Sequence, residues 1–436
     1  MRITAIATHT VRWPLAATGA ARGRSERAAV LLEVRSERGI IGLGEAAPLL
    51  GLSRDLDDAE AAIAGFARHA PFEVVARPYG ATVDTRGVLV KFETRPVAFD
   101  AGFDAPFEIL HDRAAGLAPL VPPAPRFAIQ TALCDALARE AGVSFATWLT
   151  ARVSAGDAGL SPAADRAAST DTSGSGPAGD RTALPIAAVV DDAASACAAY
   201  AAGIRCLKIK LAADDPPSRV QAIAAAVPAA RLRIDANRSW PAAEVAARLA
   251  ALAALPIDYV EEPCRDTHLL LATPLSFPLA LDESLAELSA DQLTAALASP
   301  QLAAVILKPT LLGGLSAVLA IAVRARRAGV AAIVSHGLEG PIGTAACAEL
   351  ALALDGMSAA LDGGIAPGGP RRAPAAVGLA PHPGLAGWAI DVAQLAGDRV
   401  QPSGAPGLGF VGLDLAGAVR ACPAFDRPVA DTPRQG

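Results

Sequence analysis

Five short stretches hold the residues whose types and spacing could do chemistry: Leu207-Lys208-Ile209-Lys210, Arg233-Ile234-Asp235-Ala236-Asn237, Glu261-Glu262-Pro263, Asp282-Glu283-Ser284 and Lys308-Pro309. If each ends a β-strand, the two-residue period of side-chain direction puts Lys208 and Lys210 on one face, roughly 6 to 7 Å apart, and Arg233, Asp235 and Asn237 together on one face of the next strand. Asp235, Glu261 and Asp282 are separated by 26 and 21 residues, spacings that each suit one strand-helix-strand repeat. Three carboxylates converging on one point repel one another unless a cation sits among them. An open set of hard oxygen ligands suits magnesium, with manganese as a substitute, and leaves positions for substrate and water. The same residues also have ordinary uses: Asp and Glu after a strand cap the following helix, and rim lysines extend their stems over apolar surface.

Only four of the 38 basic side chains are lysines, Lys91, Lys208, Lys210 and Lys308. Arginine stays protonated in proteins whereas lysine can lose its proton, so retained lysines point to places where deprotonation is useful. At an ordinary lysine pKa only about one amine in 2,500 is free at pH 7, a penalty of ~4.6 kcal/mol for a general base. A second ammonium two residues away and a nearby metal lower that penalty. Lys210, nearest its strand end, is the better base, Lys208 is its electrostatic neighbour, and Lys308, four strands on, falls across the mouth of a barrel. Two amines on opposite sides of a carboxylate substrate could remove the adjacent proton and stabilise the enediolate.

The elements that must position these groups follow from periodicity. Strand-like runs recur at about 185–190, 205–211, 231–236, 257–261, 278–282, 303–308, 331–335 and 359–362, with Ala/Leu-rich helical stretches between most of them. Eight strands alternating with helices predict a parallel barrel, whose active site forms at the carboxyl ends of its strands. The span of about 180 residues is short against the usual ~250, so some connections must be brief; residues 264–278 are one candidate. Upstream, Ala29–Val34, a turn at Glu37-Arg38-Gly39 and Ile40–Gly44 predict a hairpin, and Ala59–Arg68 and Phe127–Glu140 predict helices, together an α+β unit over 1–150. Residues 72–108 receive no assignment. The Gly/Ser/Ala/Asp/Pro-rich stretch within 151–184 predicts a flexible linker, leaving 185–362 for the barrel and 363–436 as a tail packed back on the first unit.

Composition narrows the partner. The 436 residues are 52% apolar and 19% charged, which excludes global disorder and fibrous classes. A net charge of −6 gives no pull toward nucleic acid or an anionic membrane, so the expected partner is a small carboxylate. No long uncharged apolar run and no leader pattern at Met1–Leu15 predict a soluble cytoplasmic protein. Six scattered cysteines without a CxxC pair predict free thiols. A homo-oligomer is compatible with all of this.

The stretches LKIK, LRIDANRSW, VEEPC, LALDES, VILKPTLLGGL and VSHGLEGPIG resemble the enolase superfamily in its muconate-lactonizing subgroup, and within it the o-succinylbenzoate synthases. GLGEAAPLLGLSRD and PPAPRFAIQTALCDAL resemble that family's capping domain. The resemblance implies a (β/α)7β modified TIM barrel with an α+β capping domain built from the N-terminal part and the C-terminal tail. It implies magnesium held by Asp235, Glu261 and Asp282, with Lys210 abstracting the proton α to the substrate carboxylate and returning it to the departing hydroxide in a syn dehydration. Lys308 would stabilise the enediolate, and Arg233 and Asn237 would support the site. The implied product is 2-succinylbenzoate, an intermediate of menaquinone synthesis. Glu283, Ser335 and Gly337 are the further candidates for substrate contact or support. In Ser335-His336-Gly337-Leu338-Glu339-Gly340-Pro341 a glycine stands where related enzymes more often have serine after the glutamate, and Arg22 or Arg24 could meet an acidic side chain.

The main rival is 1,1-proton transfer, as in N-succinylamino acid racemases and dipeptide epimerases, where both lysines exchange the α proton. A dipeptide epimerase would show Asp-x-Asp after strand eight, whereas Leu361-Asp362-Gly363-Gly364 supplies one aspartate. A catalytically silent acid-binding barrel is the remaining alternative. Gly407-Leu408-Gly409-Phe410-Val411-Gly412 matches a dinucleotide fingerprint as text, but only 24 residues follow, too few for the strand-helix-strand unit it needs. His336 has no aspartate motif suited to orient it and reads as structural or substrate-lining.

Overall fold

A computed structural model of the chain describes residues 1–15, 26–49, 56–76, 107–110, 121–157, 183–272, 277–357, 377–380, 385, 388 and 390–421. The N-terminal part is a five-stranded antiparallel sheet in the order β3-β2-β1-β4-β5, built from β1 (Arg2–Pro14), β2 (Glu26–Ser36), β3 (Ile41–Ala46), β4 (Phe72–Ala76) and β5 (Phe107–Leu110). The hairpin is the expected one, turning at Gly39 with φ +77°. Helices α1 (Leu56–Ala67), α2 (Pro123–Glu140) and α3 (Phe145–Asp157) accompany the sheet. Each of the two expected strands and two expected helices extends past at least one of its expected bounds, and α3 runs seven residues into the stretch expected as linker. Residues 158–182 lie outside the described residues, as do Arg22 and Arg24.

The β3–α2 contact is made by backbone. A Cβ on Gly42 would stand 2.0 Å from the Ala132 carbonyl oxygen, and one on Gly44 2.0 Å from that of Ala128. Two residues of strand rise about 6.7 Å and four residues of helix about 6 Å, so the two glycines meet successive turns of α2. At the free edge of β3, the Leu43 amide donates to Asp135 Oδ2 at 2.9 Å.

After the two-residue β6 (Leu184–Pro185), the second sheet has seven parallel strands in the order β13-β12-β11-β10-β9-β8-β7: β7 (Ala187–Val189), β8 (Cys206–Lys210), β9 (Arg231–Asp235), β10 (Ile257–Glu261), β11 (Leu279–Leu281), β12 (Leu302–Leu307) and β13 (Ala331–Val334). Intervening helices include α4 (Ala193–Ala201), α5 (Pro217–Ala226), α6 (Val245–Leu252), the six-residue α7 (Thr267–Ala272) in the connection expected to be brief, α8 (Ala290–Leu297), α9 (Pro309–Leu312) and α10 (Leu315–Arg327). After β13 comes α11 (Pro341–Gly356). The expected eighth strand at 359–362 falls outside the described residues. The two sheet edges are bridged at Val377-Gly378: the Ala187 amide donates to Val377 O at 2.9 Å, and the Gly378 amide to Val334 O at 2.9 Å.

Alternation divides the core. Val260, Leu279, Leu281, Val305 and Leu307 share one large cluster with the helices, while Tyr259, Ala280, Ala304, Ile306 and Ile333, of opposite parity, form a separate buried cluster inside the curled sheet. Two residues further along that inner face stand Glu261, Asp282, Lys308 and Ser335.

Part of the chain after residue 390 lies against the N-terminal part. The Leu408 amide donates to Asp135 Oδ1 at 2.7 Å, and the Phe145 amide to Gly407 O at 2.9 Å. The glycine-rich 407–412 segment therefore lies against α2 and α3. No helix among the described residues is long and apolar enough to cross a membrane, and the five described cysteines are free.

Two buried charges from the first sheet hold the barrel. Arg27 (3% exposed) donates to the carbonyls of Ala47 (2.9 Å), Gly337 (2.8 Å) and Leu338 (3.2 Å). Glu45 accepts the amides of Gly340, the N-cap of α11, and of Gly343 (2.8 Å) in its first turn. Burial pushes the Glu45 carboxyl from 4.5 up to about 7, against the pull of those amides. The folded state therefore binds more protons than the unfolded one between those values, so this group's contribution to stability falls as pH rises from about 4.5 to 7 and is flat above. Glu45→Gln is expected to shrink the stability difference between pH 5 and pH 8 by about 2–3 kcal/mol. Urea denaturation at the two pH values measures it; an unchanged difference would exclude an ionising Glu45.

Candidate active site

The inner-face residues at the strand ends meet at the mouth of the curled sheet. Lys208 Nζ lies 2.9 Å from Asp235 Oδ2 and 2.9 Å from both oxygens of Glu261. The parallel register that sets Lys210 beside Asp235, and Asp235 beside Glu261, produces this contact. Lys308 Nζ donates to Asp282 Oδ2 and stands 4.0 Å from Glu283 Oε1. Asp235, Glu261, Asp282 and Glu283 are all at most 5% exposed. Lys210 is half-buried on the same face as Lys208.

These contacts set the charges. Burial raises the Asp235 carboxyl, but Lys208, Lys210 and Lys308 overcome it and hold the group down at about 2. Burial and the neighbouring Asp235 push Glu261 well above the usual carboxylate range. Burial works against the ammonium forms of Lys208 and Lys308, yet their carboxylate partners hold both above the usual lysine value.

The other expected residues divide. The Asn237 amide donates to Asp235 Oδ1 at 3.0 Å, and its own Oδ1 is buried without a hydrogen-bond partner. Arg233 lies one layer deeper, its guanidinium 5.1 Å over the Tyr259 ring and its Nε 3.6 Å from Asp258, and so supports the barrel interior below the mouth. Ser335 Oγ donates to Gly378 O at 3.1 Å, which commits it to the bridging segment. The Gly337 amide donates to Glu339 Oε2 at 2.6 Å, and His336 Nδ1 accepts the Leu338 amide at 3.1 Å.

Sequence reasoning missed Glu262. Fully buried, it accepts the Asp282 amide (2.7 Å), the Ser284 amide (2.9 Å), the Ser284 hydroxyl (2.7 Å) and Arg238 Nε (3.0 Å). Its only sequence signal is the doubled acid in Glu261-Glu262-Pro263. Among the described residues the non-glycine positions with positive φ are Asn237 (47°), Arg238 (60°), Glu262 (45°) and Leu338 (65°), all just beyond the ends of inner strands. Strained backbone of this kind collects where surrounding structure must aim functional groups.

Among the described residues no three His, Cys, Asp or Glu side chains are already gathered around a metal position. Ammonium groups occupy the carboxylates instead. The donor set nevertheless suits a hard cation: Lys208 marks a place between Asp235 and Glu261 where positive charge is required, and Asp282 Oδ1 is buried without a hydrogen-bond partner.

Known proteins resemble the chain in part of its sequence and in its fold. The chain is 35% identical over 180 residues to the o-succinylbenzoate synthase of Mycobacterium tuberculosis (strain ATCC 25618 / H37Rv), covering 40% of this chain and 52% of that protein. It is 30% identical over 125 residues to the o-succinylbenzoate synthase of Vibrio cholerae serotype O1 (strain ATCC 39315 / El Tor Inaba N16961), covering 28% and 38%. The matches thus span about half or less of these relatives' length. In fold the chain is similar to the L-Ala-D/L-Glu epimerase from Bacillus subtilis (TM-score 0.62, 20% identity, 94% of this chain and 98% of that one). It is likewise similar to the dipeptide epimerase from Enterococcus faecalis V583 complexed with Mg and the dipeptide L-Leu-L-Tyr (TM-score 0.63, 19% identity, 94% and 99%). The model of the enolase C-terminal domain-like family matches residues 191–411, half of the chain and nearly all of its site-bearing strands. With lysines and carboxylates on the inner strand ends of a parallel α/β barrel-type fold, this chain belongs to that family, and so to the enolase superfamily.

Proposed function

We propose that the chain is an o-succinylbenzoate synthase, catalysing the magnesium-dependent syn dehydration of 2-succinyl-6-hydroxy-2,4-cyclohexadiene-1-carboxylate to 2-succinylbenzoate in menaquinone synthesis. The reading rests on one observation: Lys210 and Lys308 end inner strands with three strands between them, and Asp235, Glu261 and Asp282 end those three. The names of the curated relatives favour dehydration over other superfamily reactions. We read the two sheets as a (β/α)7β barrel with an α+β cap, working in the cytoplasm on a small carboxylate.

Asp235, Glu261 and Asp282 would hold magnesium, or manganese in its place. When bound, the ion supplies positive charge beside the substrate carboxylate and so makes the α proton more acidic. Lys210, in its neutral form, takes the α proton; the electron pair of that C–H bond moves into the carboxylate to form the enediolate. Lys308, protonated beside Asp282 and Glu283, presents its ammonium to that charge. As the enediolate collapses, the C–O bond to the 6-hydroxyl breaks and Lys210 returns its proton to the leaving oxygen, releasing water and an aromatic ring.

Purified protein is expected to convert the cyclohexadiene to 2-succinylbenzoate with added magnesium, to stop in excess chelator, and to recover when the ion is restored. Absorbance of the aromatic product follows the reaction. No dehydration, with deuterium entering the α carbon of an N-succinylamino acid from heavy water, would replace this reading with 1,1-proton transfer.

A further inference from the structure

We propose that Glu262 is the positioning residue that sets the cation affinity of the site, acting through the ends of three strands without touching the ion. The inference rests on the reading of Asp235, Glu261 and Asp282 as ligands.

Glu262 follows one of these residues and, at φ +45°, departs from the strand so that its carboxylate serves the neighbouring β11 end. Its Oε1 takes the main-chain amides of Asp282 (2.7 Å) and Ser284 (2.9 Å), and its Oε2 takes the Ser284 hydroxyl (2.7 Å) and Arg238 Nε (3.0 Å). Its own backbone completes the tie. The Glu262 amide donates to Ala280 O at 3.1 Å, and Glu262 O accepts the Arg238 amide at 2.7 Å, just beyond β9. One buried residue thus joins the ends of β9, β10 and β11, from which the three ligand side chains project. Arg238 is itself held by Glu287 at 2.6 and 2.9 Å, so the charge facing Glu262 is anchored from the outside.

Asp282 is the residue most dependent on this tie. Its main-chain angles (φ −124°, ψ −92°) lie outside regular strand, and its Oδ1 is buried with no hydrogen-bond partner to fix it. The Glu262 carboxylate holds its main-chain N–H at 2.7 Å, while its carbonyl accepts the Leu285 amide at 3.1 Å. All four contacts to Glu262 come from donors, so a glutamine there turns an NH2 group toward at least one of them.

The test is isothermal titration of metal-free protein with magnesium in the absence of substrate, comparing wild type with Glu262→Gln and Ser284→Ala, alongside unfolding in chelator. Outer residues that orient metal ligands commonly change affinity 10–100-fold when altered. Glu262→Gln is expected to weaken magnesium binding within that range, and Ser284→Ala, which removes one donor, by a few-fold. The double variant should bind no more weakly than Glu262→Gln alone. If wild type binds magnesium and a folded Glu262→Gln binds it equally well, the inference is overturned while the metal site stands. Should Glu262→Gln fail to fold, unchanged affinity in Ser284→Ala overturns it. No magnesium binding by wild type removes the metal site itself.

Discussion

Exchanging Lys210 for alanine is expected to lower kcat by about a thousand-fold or more, the upper part of the range for loss of a positioned general base. The argument is geometric. Lys208 is committed to Asp235 and Glu261, and Lys308 to Asp282, so both ammonium groups are held protonated by their partners. Lys210 stands on the same inner face, nearest the strand end and beside Asp235 in the register, which is the position proposed for the base. Lys210→Arg should be nearly as damaging, because arginine keeps the positive charge but does not give up its proton. The comparison separates a base from an electrostatic helper. Full rate in Lys210→Arg would exclude Lys210 as the base; loss in alanine with rescue in arginine would make it a charge only. Stopped-flow measurement of the aromatic product, at saturating substrate and magnesium, reads kcat directly.

The second large effect concerns the fold beneath the site. Gly44→Ala is expected to destabilise the protein by about 3 kcal/mol or more, at or beyond the upper end for overpacked cores. The added methyl would meet the main chain of α2 at the Ala128 carbonyl, an obstacle that no rotamer change removes. Strand β3 would have to withdraw from α2, carrying Glu45 away from the start of α11 and disturbing the Leu43–Asp135 bond. Gly65→Ala supplies the control. Inside α1, its methyl would meet only the Arg68 side chain at 3.6 Å, and the gain in helix propensity should stabilise by up to about 1 kcal/mol. Chemical denaturation of the two variants beside wild type tests both signs, and a Gly44→Ala midpoint equal to wild type would show that the close approach does not exist.

Much of the candidate site was legible because a strand imposes a period of two whatever surrounds it. Lys208 and Lys210, or Glu261 and the deeper Tyr259, share a face for that reason, and strand-helix spacing placed the acids on consecutive strands. The hairpin at Gly39 and helix α2 were legible on similarly local grounds. Arg233 shows the limit: its parity is right, but depth along the strand puts it beside Tyr259, below the mouth. Ser335 has the right parity too, and is taken by Gly378. The two-residue bridge at Val377-Gly378 marks another limit, since so short a segment carries almost no periodic signal.

By itself the sequence determined the alternation of strands and helices and the polar groups that end the inner faces, because dihedral preference and side-chain period act over a few residues. Only the tertiary structure decided that Lys208 sits between Asp235 and Glu261, that Glu262 turns to grip the Asp282 backbone, and that Arg27 and Glu45 reach residues some 300 positions away. Those pairings depend on which groups are driven into the same small, poorly solvated volume. There a buried charge must find a partner wherever the fold brings one, and local pattern does not encode that choice.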